Sequence, residues 1–194
     1  EPENFVRSYE SDKTIAKILF IRTGNTKGIS NTGESFSEDE LDFSGGFSVE
    51  GLPISTSYVN DLGTWAYTMK CPVEQDGGEI GTLYMEYIYD SFEEALPEKL
   101  YNGSASLYIM DTDSQRFVLK PKGIGERDAG HLNLRDFYQA NNILEKDLQD
   151  EISESIRMGK NVMFYHDIQG KEALIYMWAV NGKAAYLIGF VPVE

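Results

Sequence analysis

The chain repeats one long pattern, and this constrains its fold more than any other feature. Ile15–Gly33 (IAKILFIRTGNTKGISNTG) reads as a strand, a polar Gly-containing turn and a second strand. The same pattern returns about ninety residues later as Ser104–Gly123 (SASLYIMDTDSQRFVLKPKG), a period too long for a solenoid and suited to two copies of a small module. Each half then closes on paired apolar strands, TWAYTMKCPVEQDGGEIGTLYMEYI in the first and ALIYMWAVNGKAAYLIGFVPV in the second. The tips Gln75-Asp76-Gly77-Gly78 and Asn181-Gly182 are hairpin signals, because both residues of the tightest turns need positive φ. Two copies of one module point to a receptor built by duplication rather than to a catalytic fold.

Between the paired strands, each half carries an insert. Residues 33–52 are rich in Gly, Ser and acid without helical period, which predicts a long loop with one short turn. Strands follow near 53–59, 64–72 and 79–89, and Asp90–Leu100 predicts a short connecting helix broken at Pro97. The second half opens with strands at 105–112 and 115–120 and continues with a short helix near 133–140. In the next helix Leu144, Leu148, Ile152 and Ile156 recur every four residues. Asn142 is its expected N-terminal cap and Gly159 its left-handed C-terminal cap. Strands at 160–168, 172–180 and 184–192 complete the half. The expectation is an α+β protein of two PAS-like modules, each a five-stranded antiparallel sheet with a loop or helix insert across one face. Residues 1–14 are read as the end of a helix and a linker, 15–89 as the first module, 90–103 as the connector and 104–194 as the second module.

Composition narrows the partners. At 41% hydrophobic and 25% charged over 194 residues, the chain can bury roughly 70% of its unfolded surface without a disulfide or metal. A net charge of −15 with no basic stripe repels phosphate backbones and anionic lipid, so neither nucleic acid nor direct membrane docking is expected. The single cysteine, Cys71, permits no internal disulfide and is expected to pack as an inert buried thiol. No run approaches the roughly 20 apolar residues needed to cross a bilayer. The start at Glu1 and the stop just after the last strand are read as the edges of an excised domain, with membrane spans expected outside them.

The motifs of known catalytic and metal chemistries are incomplete in this chain. His131 and His166 are far apart and lack metal-ligand spacing. Asp111-Thr112-Asp113-Ser114 lacks the glycine and closing glutamate of a calcium loop and reads as a turn. Gly123-Ile124-Gly125-Glu126 lacks the third glycine of a dinucleotide loop. No serine sits in a G-x-S-x-G turn and Cys71 has no histidine partner. No catalytic residue, metal or cofactor is expected.

The order of elements, with particular residues, resembles the tandem PAS-like "double Cache" sensor domains of bacterial membrane receptors. The matching stretches are IAKILFIRTGNTKGISNTG, Cys71-Pro72-Val73 followed by GGEIGTLYMEY, SLYIMDTDS and LIGFVPVE, which together cover nearly the whole chain. The resemblance implies an extracytoplasmic sensing domain ahead of a diguanylate cyclase, histidine kinase or chemoreceptor output. The first module would be membrane-distal and hold a small ligand, and the second would be membrane-proximal and relay the signal. It also implies a homodimer in the full-length receptor, tied to the membrane through flanking spans, with the fragment alone expected to be monomeric.

An acidic residue late in the fifth strand contacts the ligand's amino group in many such receptors, and Glu86 falls at the matching place. Alternation puts Tyr84 and Thr82 on its face, and Trp65, Tyr67 and Met69 together on one face of the neighbouring strand. Tyr58 and Asp61 sit where the preceding strand turns. The candidate ligand-binding set is therefore Tyr58, Asp61, Trp65, Tyr67, Tyr84 and Glu86. An aromatic box with one acid suits an amine or small cation. Residues 33–57 contain no arginine, unlike the amino-acid-binding members, so an α-amino acid is not the expected ligand. Two further readings stay open: these rings as ordinary core in a structural or dimerisation domain, and a cytosolic cofactor-binding PAS protein.

Overall fold

The computed structural model describes residues 1–95, 106–120 and 132–193. The chain divides into two compact units, Glu1–Glu93 and Glu94–Glu194.

The first unit opens with helix α1 (Pro2–Ser8) and strands β1 (Ile15–Arg22), β2 (Lys27–Ser30) and β3 (Ser35–Ser37). A 3-10 turn (Glu38–Glu40) and the short strands β4 (Ser48–Val49), β5 (Leu52–Pro53) and β6 (Tyr58–Val59) follow. The long hairpin of β7 (Trp65–Gln75) and β8 (Gly78–Ile88) precedes α2 (Asp90–Ala95). The main sheet is antiparallel in the order β3-β2-β1-β8-β7-β6, with β4 and β5 paired to each other. The β7–β8 turn places Asp76 at φ 52° and Gly77 at φ 80°, as its sequence predicts.

Period-2 alternation gives this sheet two apolar faces. Ile18 and Phe20, with Leu83, Met85 and Val73, pack against Val6 of α1. Leu19, Ile21 and Tyr84 pack against Phe36, Leu41 and Phe43 of the insert. Gly81 is required where the strands meet: a Cβ there would lie 2.4 Å from the Ile21 carbonyl oxygen and 2.5 Å from the Phe20 ring.

The second unit contains β9 (Ser106–Asp111), β10 (Phe117–Leu119), α3 (Leu134–Ala140) and α4 (Lys146–Arg157). Strands β11 (Val162–Ile168), β12 (Lys171–Val180) and β13 (Ala185–Pro192) complete it. Its sheet runs β10-β9-β13-β12-β11. In both units the last strand lies beside the first, so the repetition in the sequence is a repetition of topology. Phe137, Tyr138, Ile152 and Ile156 of the helices bury against Tyr108, Met110, Ile175, Met177, Tyr186 and Ile188 of the sheet.

Five local expectations are corrected. Asn142 does not cap α4; it sits at φ 57° in the turn that ends α3, where Ile143 N–H donates to the Tyr138 carbonyl at 2.9 Å. Leu144 consequently lies outside the helix and is 66% exposed, leaving Leu148, Ile152 and Ile156 as the apolar stripe. The 33–52 loop contains β3, the 3-10 turn and the β4–β5 hairpin, and the strand expected over 53–59 is broken into β5 and β6. Cys71 is half-buried on β7 rather than buried.

At the other end of α4 the expectation matches. Gly159, at φ 67°, donates to the Ile156 carbonyl and Lys160 N–H to that of Ser155, both at 2.8 Å, which is a Schellman closure. The Asp111–Ser114 run is a turn in which the Asp111 carboxylate accepts from the Ser114 backbone and hydroxyl. Residues 96–103 of the expected connector, His131 and the Gly123–Glu126 motif lie outside the described residues. No described helix is long and apolar enough to cross a membrane.

Candidate functional site

The site grows out of a polar row across the insert face of the first sheet. Lys17 of β1, Glu86 of β8 and Thr68 of β7 are directly paired across three neighbouring strands, so their side chains share that face. Tyr58, on the short edge strand β6, pairs with Ala66 and reaches over the same face. Its hydroxyl donates to Glu86 Oε2 at 2.8 Å and lies 2.7 Å from Thr68 Oγ1. A carboxylate can only accept, so the single phenolic proton goes to Glu86 and the threonine hydroxyl donates to the tyrosine oxygen.

Asn60 supplies the second donor. Its Oδ1 accepts from Leu62 N–H, Thr64 N–H and Thr64 Oγ1, at 3.1, 3.1 and 3.0 Å. This knots the Asn60–Thr64 turn and leaves Nδ2 to donate to Glu86 Oε1 at 3.0 Å. The polar start of the turn and Gly63 at φ 76° explain why the chain reverses there.

Glu86 is 6% exposed, and both its hydrogen bonds come from neutral groups. Among the described residues it has no cation within ion-pair distance. A carboxylate so placed bears a desolvation cost that neutral donors offset only in part. Burial, and then the charge of Glu86, push the Tyr58 hydroxyl well above the ordinary tyrosine range, which keeps it protonated as a donor. Glu86 lines a cavity of about 180 Å³ with Lys17, Leu19, Phe36, Glu40, Leu41, Tyr58, Asn60, Asp61 and Thr68. With one donor on each oxygen, the carboxylate retains lone pairs for a ligand N–H.

Of the six residues predicted from sequence, the structure brings three together: Tyr58, Asp61 and Glu86. Tyr84 is on the same face but buried one step along the strand. Its hydroxyl donates to Glu38 and its ring meets Phe36 edge-on at 5.2 Å. Lys70 completes this strut, 2.8 Å from Glu38 Oε1 and 4.4 Å above the Phe43 ring. It anchors the insert to the sheet. Lys70 first, and then Tyr84, hold the Glu38 carboxyl below its ordinary range.

Trp65 and Tyr67 lie on the opposite face, because Tyr67 pairs with Tyr87 while Thr68 pairs with Glu86. Tyr67 stacks on Tyr87 with centroids 5.3 Å apart and leans on Tyr89, which is core packing. The expected aromatic box with Glu86 does not form; Tyr58 and Phe36 are the rings at the cavity.

Sequence reasoning missed Lys17, Asn60 and Thr68. Lys17 carried a signal, as a lone cation on the Leu19/Ile21 side of an otherwise apolar strand.

A larger hollow, about 510 Å³, lies in the second unit among Ser106, Tyr108, Asn141, Ile168, Lys171 and Phe190. Lys171 is the one charged group among its described lining residues, so it offers no carboxylate to a cation. His166 Nε2 lies 3.1 Å from the Asn141 carbonyl oxygen, and no described group of three acids, histidines or cysteines could hold a metal.

By sequence the chain matches no protein-family model and no curated protein. By structure it is similar to the ligand-binding domain of the Pseudomonas aeruginosa amino acid chemoreceptor PctC, solved with GABA. That likeness has a TM-score of 0.61 at 12% identity, covering 98% of this chain and 81% of that one. The ligand-binding domain of the Pseudomonas fluorescens chemoreceptor CtaA, solved with L-isoleucine, gives 0.59 at 10% identity over 99% and 76%. The extracellular domain mmHK1S-Z2, assigned to a histidine kinase, gives 0.62 at 12% identity over 98% and 80%. The chain therefore shares the two-unit α+β fold of these ligand-binding domains, the fold class expected from its sequence.

Proposed function

We propose that this chain is the extracytoplasmic small-molecule-sensing domain of a bacterial membrane signalling protein, without catalytic activity of its own. The ligand is a small amine or cation held in the first, membrane-distal unit by Glu86, Tyr58 and Asn60. The second unit relays the signal, and the full-length receptor works as a homodimer.

The observation that carries this reading is Glu86, a nearly buried carboxylate that faces a cavity and, among the described residues, has only neutral partners. An ammonium ion would supply the missing counter-charge through a charge-assisted hydrogen bond. The fold adds support, since its structural neighbours are ligand-binding domains of receptors rather than enzymes. Binding that favours one of two pre-existing arrangements needs a coupling of only about 1–3 kcal/mol to change output severalfold.

A thermal-shift screen of amines, quaternary ammonium ions, sugars and carboxylates tests the proposal. A ligand at 100 times its dissociation constant adds about 2.7 kcal/mol, a shift of several degrees. The expected hit is an amine whose shift disappears in Glu86→Gln. Silence from every amine, or a hit indifferent to that substitution, would contradict it and favour a structural or partner-binding outer domain.

A further inference from the structure

Lys17 stands in direct register with Glu86 across β1 and β8, a position from which a lysine ordinarily meets a glutamate on the same face. Its ammonium is turned elsewhere: it lies 2.8 Å from Asp61 Oδ2 and 3.1 Å from Glu34 Oε2. The exposures show which partner came to which. The Lys17 side chain is 18% exposed, whereas those of Asp61 and Glu34 are 79% and 62% exposed. The cation is fixed inside the cavity wall, and the two carboxylates reach it from exposed turns, Asn60–Thr64 and the turn before β3. Burial alone would lower the Lys17 ammonium, but the hydrogen bonds it donates to Asp61 and Glu34 outweigh it, and Lys17 in turn holds Asp61 below its ordinary range. Both groups are charged at neutral pH.

Among the described residues, the cavity wall contains three carboxylates, Glu40, Asp61 and Glu86, and one ammonium, Lys17, which is already in use. A ligand carrying its own carboxylate would need Lys17, would find Asp61 there, and would enter among like charges. We infer that Asp61 is the specificity-determining residue of this site: it occupies on Lys17 the place of a ligand carboxylate, so the cavity takes carboxylate-free amines and rejects the corresponding α-amino acids. The inference rests on the proposed role of the Glu86 cavity as the ligand site. Specificity of this kind comes from repulsion of the wrong ligand as well as attraction of the right one.

Matched pairs that differ by one carboxylate test it: isobutylamine and L-valine, ethanolamine and L-serine, putrescine and L-ornithine. Each is titrated by calorimetry into the wild-type chain, Asp61→Asn, Glu34→Gln and the double variant Lys17→Met with Asp61→Asn. Wild type should bind at least one amine about 100-fold more tightly than its amino acid, the scale of a like-charge penalty. Asp61→Asn should cut that ratio to about tenfold by gaining the amino acid, and the gain should vanish when Lys17 is also replaced. Glu34→Gln, which frees the same ammonium from its other partner, should move the ratio in the same direction and stands in if Asp61→Asn misfolds. An amino acid bound as tightly as its amine by wild type, or a ratio unmoved in both single variants, overturns the inference and leaves the site standing. No binding of any amine to any of the four proteins overturns the reading of the cavity, and the inference with it.

Discussion

Replacing Tyr58 by Phe tests the polar centre of the site without disturbing its shape. The substitution removes one oxygen that takes part in two hydrogen bonds, to Glu86 Oε2 at 2.8 Å and Thr68 Oγ1 at 2.7 Å. A hydrogen bond to a charged group contributes about 1.5–3 kcal/mol and a neutral one about 0.5–1.5 kcal/mol. The bond to the charged Glu86 is the stronger of the two, so it dominates the loss. The expected destabilisation is about 2–3 kcal/mol at pH 7, a fall in Tm of roughly 4–12 °C for a chain of this size.

In a Glu86→Gln background the charged bond is already gone, and the same change should cost only about 1 kcal/mol. Urea denaturation of wild type, both single variants and the double variant closes the cycle. A coupling of about 1–2 kcal/mol is predicted. Equal losses in both backgrounds would refute the reasoning, by showing that Tyr58 acts through its ring and not as the donor to Glu86.

The other predictions concern the supports of the site and the second unit. The Glu38 carboxyl titrates below its ordinary value of 4.5 when folded, so its contribution is complete above that pH and is lost as pH falls through the lower folded value. Lys70→Met should therefore flatten the decline in urea midpoint on the acid side of that value, relative to wild type. Tyr67→Leu, in the ring stack on the opposite face, should cost roughly 1–3 kcal/mol of stability while leaving amine affinity within about twofold, as measured by denaturation and calorimetry. Gly159→Ala should destabilise the second unit by about 1–2 kcal/mol in urea, because its φ of 67° disfavours a side chain and its Cβ would meet Lys183 Cδ at 2.3 Å.

The fold was legible because its information is local and repeated. Asp76-Gly77 and Asn181-Gly182 mark their turns through positive φ, the strands between them alternate, and the Ile152/Ile156 stripe marks α4. Register was not legible. Whether Glu86 faces Tyr67 or Thr68 depends on a single-residue offset between β7 and β8, and that offset moves every side chain to the other face. Trp65 and Tyr67 were misplaced for this reason alone.

Asp61 was placed correctly at the turn, but its partner Lys17 is 44 residues away in sequence, a pairing that no local pattern encodes. Asn142 shows the opposite weakness of local signals. It has the chemistry of an N-terminal cap, and the chain uses its tolerance of left-handed φ to end the preceding helix.

The site turns on one carboxylate, Glu86, and a crystal structure of the chain soaked with the tightest-binding amine would show what that carboxylate holds. A nitrogen is expected within about 3 Å of Glu86 Oε1 or Oε2, with Tyr58 and Asn60 still donating to the same oxygens. An amine seated on the Trp65 and Tyr67 face, or in the hollow of the second unit with the Glu86 cavity unchanged, would contradict it.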